Sequence, residues 1–503
     1  MSRPLLYALL LSAAVLLPRA IWVQWSHGPS SDDDYHLVRG LEFLKGDRGL
    51  VHRELNDPPL GEALGAVPLW MMGGTTHGKD EGTALFAQTY LPDAALMAVA
   101  IWKTLLFLPV IGVVFAWCRR LYGPSAAWLA VALLLVEPTI AGHVHLASLD
   151  VIGTGGIVIA CYCGWRYFEA PSRARLILAA ATCALAVLLK HTAVLVPAIL
   201  CGYAAIQGGR QHLPALAKGG LLTLLVMWAL LGFDMSPVRG ASVPGGIYVK
   251  SVLDARDHVT APNDAYLWGQ IRRGGWWYYF PAVATYKVPI GIALVVVLGL
   301  ASMAKRGVKR EEWSLLLPVV GYTLFLMLQN INTGWRHFLP AYVFILMLAT
   351  RVMLAGKAWR IVAWVAIAVA AVDVARWGAD DVAYVNFPRR DIYLSINDSN
   401  IDWGQGLKQA RRWLEDNRTF VSQRQIYFRA SAVSNRAVRY YLPGVMQLHP
   451  GDQPPTSGVL IVSPVSLSGL SESTDEYGFL RGVKPDAVIG HALRVYDLDK
   501  LRR

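Results

Sequence analysis

Residues 93–117 read DAALMAVAIWKTLLFLPVIGVVFAW, and Cys118-Arg119-Arg120 follow directly. The stretch is polar only at Asp93, Lys103 and Thr104, and it exceeds the roughly 20 residues an α-helix needs to cross hydrocarbon. The arginine pair at its end marks the side that faces the cytoplasm. Working outward, ten further apolar runs occur at residues 5–22, 125–142, 147–165, 175–190, 191–207, 219–233, 280–302, 313–329, 337–354 and 359–375. The expected fold class is therefore a polytopic α-helical membrane protein with about 11 transmembrane helices. Several runs are short, and the joined pair at 175–207 is the hardest to divide.

Composition agrees. The 503-residue chain is 54% hydrophobic and 16% charged, which lies outside ordinary soluble usage. Its net charge of +12 would suit a nucleic-acid binder, yet much of the excess base sits in short loops between apolar runs, where it sets orientation. Acidic membrane lipids are the expected partner of that charge, and no nucleic acid is expected. The five cysteines lie in or at the ends of apolar runs, which suggests neither a disulfide framework nor a thiolate metal site. Arg3 and the apolar run to Val23 outline a signal peptide, but without a small-x-small cleavage site the run reads as an uncleaved first helix.

With the N-terminus inside, the inner loops carry Arg119 and Arg120, then Arg166, Arg173 and Arg175, then Arg210 and Lys218, then Lys305 to Arg310, then Arg351, Lys357 and Arg360. The short outer loops hold only Lys190 and Arg336. An odd number of spans puts the C-terminal region outside. The expected division is a transmembrane domain at 1–377, with long outer loops at 23–92 and 234–279, and an extracytoplasmic soluble domain at 378–503. In the latter, residues 402–417 have the pattern of an amphipathic helix, and 425–429, 458–463 and 487–496 read as strands of a small α/β domain. Residues 60–72 form an apolar stretch too short to span, suited to an interfacial helix opened by Pro58-Pro59.

Chemistry is expected on the outer face. Asp32, Asp33 and Asp34 lie just beyond the first run, with His36 following, and one such carboxylate can accept a proton from an attacking hydroxyl. The competing reading is a solvated loop or a cap before a helix at 35–44. Asp150 opens the fourth run, where a carboxylate beside an apolar helix calls for a cavity or a partner. Lys103 sits deep in its run and either binds an anion or neutralises a structural carboxylate. Arg336 and His337 form a basic point in an otherwise neutral loop, fit to hold phosphate oxygens, and Lys287 and Lys190 stand at outer ends of their runs. Each also suits a snorkelled anchor. Residues 398–405 read as a cap and domain junction. No P-loop, dinucleotide fingerprint or His-Glu-x-x-His is present.

Taken in order, these motifs resemble the membrane glycosyltransferases of the C superfamily (GT-C), in particular the group containing protein O-mannosyltransferases and the lipid A aminoarabinose transferase. The resemblance rests on Asp32-Asp33-Asp34-Tyr35-His36, Gly46-Asp47, Asp57-Pro58-Pro59-Leu60, Glu137-Pro138 through Asp150, Lys190, the Trp276-Trp277-Tyr278-Tyr279 group with Lys287-Val288-Pro289, Arg336-His337-Phe338-Leu339-Pro340, and residues 398–405. It implies that Asp32 is the catalytic carboxylate, with Asp33 in the usual glutamate position, and that Asp150 is a second acidic site residue. Arg336, His337, Lys287, Lys190 and Lys103 would serve the donor phosphate, and Asp34, His36 and Asp57 would be loop contacts. The implied donor is a polyprenyl-phosphate sugar, and the implied acceptor is a hydroxyl on a protein, lipid or envelope glycan. Inversion at the sugar is implied, and no metal or cofactor is. The implied location is a bacterial inner membrane. One departure stands out: the family places His or Lys before the proline pair, and this chain has Asp57. A lipid or solute transporter and an inactive scaffold of the same fold are the alternative readings.

Overall fold

The computed structural model describes residues 2–47, 55–74, 92–260, 263–386, 391–430, 433–470 and 475–501. Parts of the loop expected to lie outside, at 48–54 and 75–91, thus fall beyond the described residues. The helices of the membrane part are α1 (Arg3–Ser26), α2 (Asp33–Leu44), α3 (Pro59–Met71), α4 (Pro92–Tyr122), α5 (Pro124–Val136), α6 (Pro138–His143), α7 (Asp150–Glu169) and α8 (Arg173–Leu189). They continue as α9 (Leu195–Ile206), α10 (Leu213–Leu230), α11 (Gly246–Thr260), α12 (Tyr279–Lys287), α13 (Ile290–Arg306), α14 (Trp313–Met327), α15 (Leu339–Ala349) and α16 (Lys357–Ala375). Proline opens several of them, at a position whose missing N–H costs nothing.

Helix occupies every one of the apolar runs, but the count of about 11 full-length spans needs correction. Among the described residues only 5 helical stretches are long and apolar enough to cross by themselves: Arg3–Ser26, Pro92–Tyr122, Gly209–Leu230, Trp335–Leu354 and Lys357–Ala375. Proline explains part of the shortfall. The run at 125–142 breaks at Glu137-Pro138 and the run at 280–302 breaks at Val288-Pro289, because the ring removes a donor and disfavours helix in the preceding residue.

Contacts between loops separate two faces. On one, Arg119 donates to Ser2 Oγ at 3.3 Å, Arg120 pairs with Glu169 at 2.9 Å, and Arg310 donates to the Ile206 carbonyl at 2.8 Å. These are loops that the charge pattern assigns to the inner side. On the other face the Gly28 N–H donates to the Gln405 carbonyl at 2.8 Å and the Ser31 N–H to that of Trp403 at 2.9 Å. The lateral surface between the faces is apolar, with Leu221 and Leu224 on α10 and Val365, Val369 and Val372 on α16 exposed. Trp22, Trp25, Trp70 and Trp277 are also exposed, as expected for aromatic anchors at an interface. The chain is a multi-pass, largely α-helical membrane protein.

The C-terminal region carries a five-stranded mixed sheet in the order Met446–Gln447, Ile426–Arg429, Val459–Val462, Leu493–Asp497, Ala487–Ile489. The first three strands are parallel and the last two run antiparallel to their neighbours. A helix over Leu407–Asp416, labelled α17, packs against it through Leu407 and Ala410. That helix starts five residues later than its amphipathic pattern suggests. The Asp402 carboxylate accepts the Gly404 N–H at 3.0 Å, Gln405 Oε1 accepts that of Trp403 at 2.6 Å, and Gly404 adopts φ +86°, so the chain turns before helix begins.

Candidate active site

The site grows from the loop that precedes α7. Its backbone is held by two groups that sequence reasoning placed in the chemistry. Asp33 Oδ1 accepts the Ala147 N–H at 2.7 Å and Oδ2 accepts that of Ser30 at 2.8 Å. Lys103 donates to the Ser148 carbonyl at 2.8 Å. Both side chains are buried, and the hydrogen bonds found for them go to backbone groups of this loop rather than to other side chains of the site. Burial pushes the Asp33 carboxyl above the usual range, against its two N–H partners. Lys287 is likewise bound to backbone. Its ammonium donates to the carbonyls of Val382, Tyr384 and Asn400 at 2.7–2.8 Å, which uses all three protons.

The clamped loop delivers Asp150, at the first turn of α7, into an ionic centre. Lys190 donates to Asp150 Oδ1, Arg336 Nε lies 3.2 Å from Oδ2, and His337 Nδ1 lies 3.8 Å from Oδ1. Gly153 makes the lysine's approach possible, since a Cβ there would stand 2.6 Å from Lys190 Cβ. Arg336 reaches further, placing Nη2 3.8 Å from Asp32 Oδ2. Asp32 sits at the N-terminus of α2 without capping it, and its side chain is 39% exposed, against 6% for Asp150. The accessible carboxylate can meet a substrate; the enclosed one organises cations. Arg336 Nη1 is buried and has no hydrogen-bond partner among the described residues.

A third strand of chain completes the arrangement. Residues 398–405 run between the segment after α1 and the Arg336 loop. Ser399 donates to the Thr333 carbonyl at 2.7 Å, and Asn400 Oδ1 accepts the Trp335 N–H at 2.9 Å. Trp403 lies under the Arg336 guanidinium, 3.6 Å from ring centre to Cζ. Asp398 and Asp402 join the wall. Burial raises the Asp398 carboxyl to about 6, with Ser399 and Arg336 opposing the rise, and burial raises Asp402 as well.

These residues face a cavity of about 1130 Å³ that Asp32, Asp150, Lys190, Arg336 and His337 line together. His36 and Asp57 line it too, and His36 Nδ1 lies 3.2 Å from Glu62 Oε1. Burial raises the Glu62 carboxyl to about 7. Asp34 is buried on α2 and is not part of the cavity lining. Asp398, Asp402 and Trp403, which the sequence pattern gives to a cap and domain junction, line it as well, and so does His191, which the sequence pattern does not single out. His191 follows Lys190 directly, and its two ring nitrogens are buried without partners among the described residues. An apolar groove of about 430 Å³ between α7, α8, α9 and α10 shares Val194 and Tyr248 with the cavity.

Comparison with known proteins gives three results. Residues 84–233 match the family model described as dolichyl-phosphate-mannose-protein mannosyltransferase. No curated protein sequence matches the chain significantly. Among solved structures, ArnT from Cupriavidus metallidurans in its apo state superposes with a TM-score of 0.52 at 14% identity, over 97% of this chain and 98% of that one. The same protein bound to undecaprenyl phosphate gives 0.50 at 13% identity, over 97% of each chain. The oligosaccharyltransferase of Archaeoglobus fulgidus, tethered to an acceptor peptide, gives 0.51 at 11% identity, over 88% of this chain and 63% of that one. The chain therefore has the GT-C-like fold of these membrane glycosyltransferases, extended along nearly the whole of its length.

Proposed function

We propose that the protein transfers a sugar from a polyprenyl-phosphate donor to an acceptor hydroxyl on a protein, lipid or envelope glycan, at the outer face of a bacterial inner membrane. The observation that carries this reading is Arg336, set between an enclosed and an accessible carboxylate with its buried Nη1 without a hydrogen-bond partner among the described residues. A buried guanidinium with a spare N–H is suited to a phosphate oxygen. The isoprenoid tail would lie in the apolar groove that meets the cavity at Val194 and Tyr248. The membrane part, 1–377, would bind the donor, and 378–503 would form the outer domain.

In the proposed step Asp32 takes the proton of the acceptor hydroxyl as its oxygen bonds to the anomeric carbon. The bond from that carbon to the phosphate oxygen breaks, and lipid monophosphate leaves with the electron pair. Arg336 and His337 stabilise the charge that develops on it. Attack opposite the leaving group inverts the anomeric centre. Lys190 and Asp150 hold Arg336 in place before substrate arrives, which lowers the reorganisation needed in the transition state.

The test is reconstitution in lipid nanodiscs with a panel of undecaprenyl-phosphate sugars and envelope extracts, reading release of undecaprenyl phosphate. The expected result is acceptor-dependent release by the wild type and about 100-fold less by Asp32→Asn. Equal release by both proteins, or none from any donor, overturns the reading.

A further inference from the structure

We propose that His36, Asp57 and Glu62 form a binding site for a first-row divalent cation, Mn²⁺ or Zn²⁺, on the wall of the cavity. One ligand atom from each of the three lies within 4.8 Å of the other two. That spacing allows a single ion to contact all three at the 2.0–2.2 Å typical of imidazole and carboxylate ligands after small side-chain rotations. Glu62 is 1% exposed, and its Oε2 has no hydrogen-bond partner among the described residues, an orphan acceptor in a buried position. Such a group costs stability unless something satisfies it. His36 and Asp57 face the cavity, so an ion can enter from there.

The scaffold holds the ligands together. His36 lies on α2 and Glu62 on α3, and these helices touch so closely at Gly40 that a Cβ there would stand 2.1 Å from the Glu62 carbonyl oxygen. Pro58-Pro59 stiffen the chain immediately after Asp57. One imidazole and two carboxylates favour a borderline cation over Ca²⁺ or Mg²⁺, which prefer all-oxygen shells. Three protein ligands leave open positions, as in sites that also bind a substrate or water. The ion would cancel the negative charge that Asp57 and Glu62 otherwise present. On the transfer reading above, its open positions would take oxygens of the anionic donor, and only this last consequence rests on that reading.

The test measures binding of Mn²⁺, Zn²⁺, Mg²⁺ and Ca²⁺ to chelator-stripped, full-length protein in nanodiscs by calorimetry, with the Mn²⁺ paramagnetic signal as an independent readout. The expected result is one equivalent of Mn²⁺ or Zn²⁺ bound by the wild type and by Asp32→Asn. Binding at least about tenfold weaker is expected in both Asp57→Asn and Glu62→Gln, near-isosteric changes whose folding is checked by their melting temperatures. Absence of binding in the wild type, or unchanged affinity in Asp57→Asn, overturns the site. Binding without any sugar transfer leaves the cation site standing and counts against the transfer reading alone.

Discussion

The guanidinium of Arg336 lies over the indole of Trp403, 3.6 Å from its ring centre. The arginine comes from a loop between membrane helices and the tryptophan from the segment leading into the C-terminal sheet region, so this stack fastens one to the other at the cavity. Cation–π contact with a desolvated arginine contributes up to about 2 kcal/mol. The stack also leaves the planar edge of the guanidinium available to Asp150, Asp32 and a ligand.

Arg336→Lys should therefore lower transfer by about 100-fold while leaving the melting temperature within a few degrees, because a lysine keeps the charge but neither stacks nor forks. Trp403→Ala should raise KM for the donor more than it lowers kcat. Steady-state kinetics on nanodisc-reconstituted protein separate the two.

Asp32→Asn and Asp33→Asn should fail in different ways. The first removes a proton acceptor and should lower turnover about 100-fold without loss of stability. The second sets an amide NH₂ against a backbone N–H that the carboxylate now accepts, at a cost of roughly 1–3 kcal/mol. Thermal unfolding alongside turnover assays distinguishes them, and an unchanged melting temperature in Asp33→Asn would contradict the clamp.

Gly153→Ala should act on the site from a distance. Its new methyl would meet the Lys190 stem at 2.6 Å, and the lysine would have to leave Asp150. Transfer should drop about tenfold or more, since misplacement near 1 Å costs that much or more. Ile157→Val, a conservative trim further along the same helix, provides the control for general packing damage.

The pH dependence of stability should carry a signature of Asp398. Burial raises its carboxyl to about 6, against roughly 3.9 in an unfolded chain. The folded state thus holds the proton more tightly, and this contribution is fully present below about pH 4 and lost as pH rises through about 6. Asp398→Asn fits the φ of +62° found there and removes the group that titrates. Melting temperature followed from pH 4.5 to 7 should fall less in the variant than in the wild type; parallel curves would contradict the assignment.

Asp380 should matter for the seating of the C-terminal sheet region. It accepts or shares hydrogen bonds with His27 at 3.0 Å, His491 at 2.7 Å and Gln409 at 2.7 Å, which join the end of α1, the turn before the last strand and α17. Burial opposes its ionisation, but these partners hold the carboxyl well below the usual range. Asp380→Ala should increase protease cleavage between the membrane part and the sheet, read as new fragments in limited proteolysis.

Local chemistry along the chain was enough to reveal the helical runs, the charge asymmetry of their loops and the positions of Asp32, Asp150, Lys190, Arg336 and His337, all of which line one cavity. Hydropathy and loop charge are properties of contiguous residues, so they are legible without coordinates. The roles of Asp33, Lys103 and Lys287 were not legible, because their partners are backbone groups that only folding brings near them. Glu62 lies within the apolar stretch at 60–72 and carries no signal of its own in the sequence; α2 sets His36 beside it. Trp403 likewise belonged to a helical pattern that ends up as a turn. Membership of the runs was written in the order of residues; what each buried charge does was decided in three dimensions, where desolvation makes the nearest donor or acceptor outweigh any local preference.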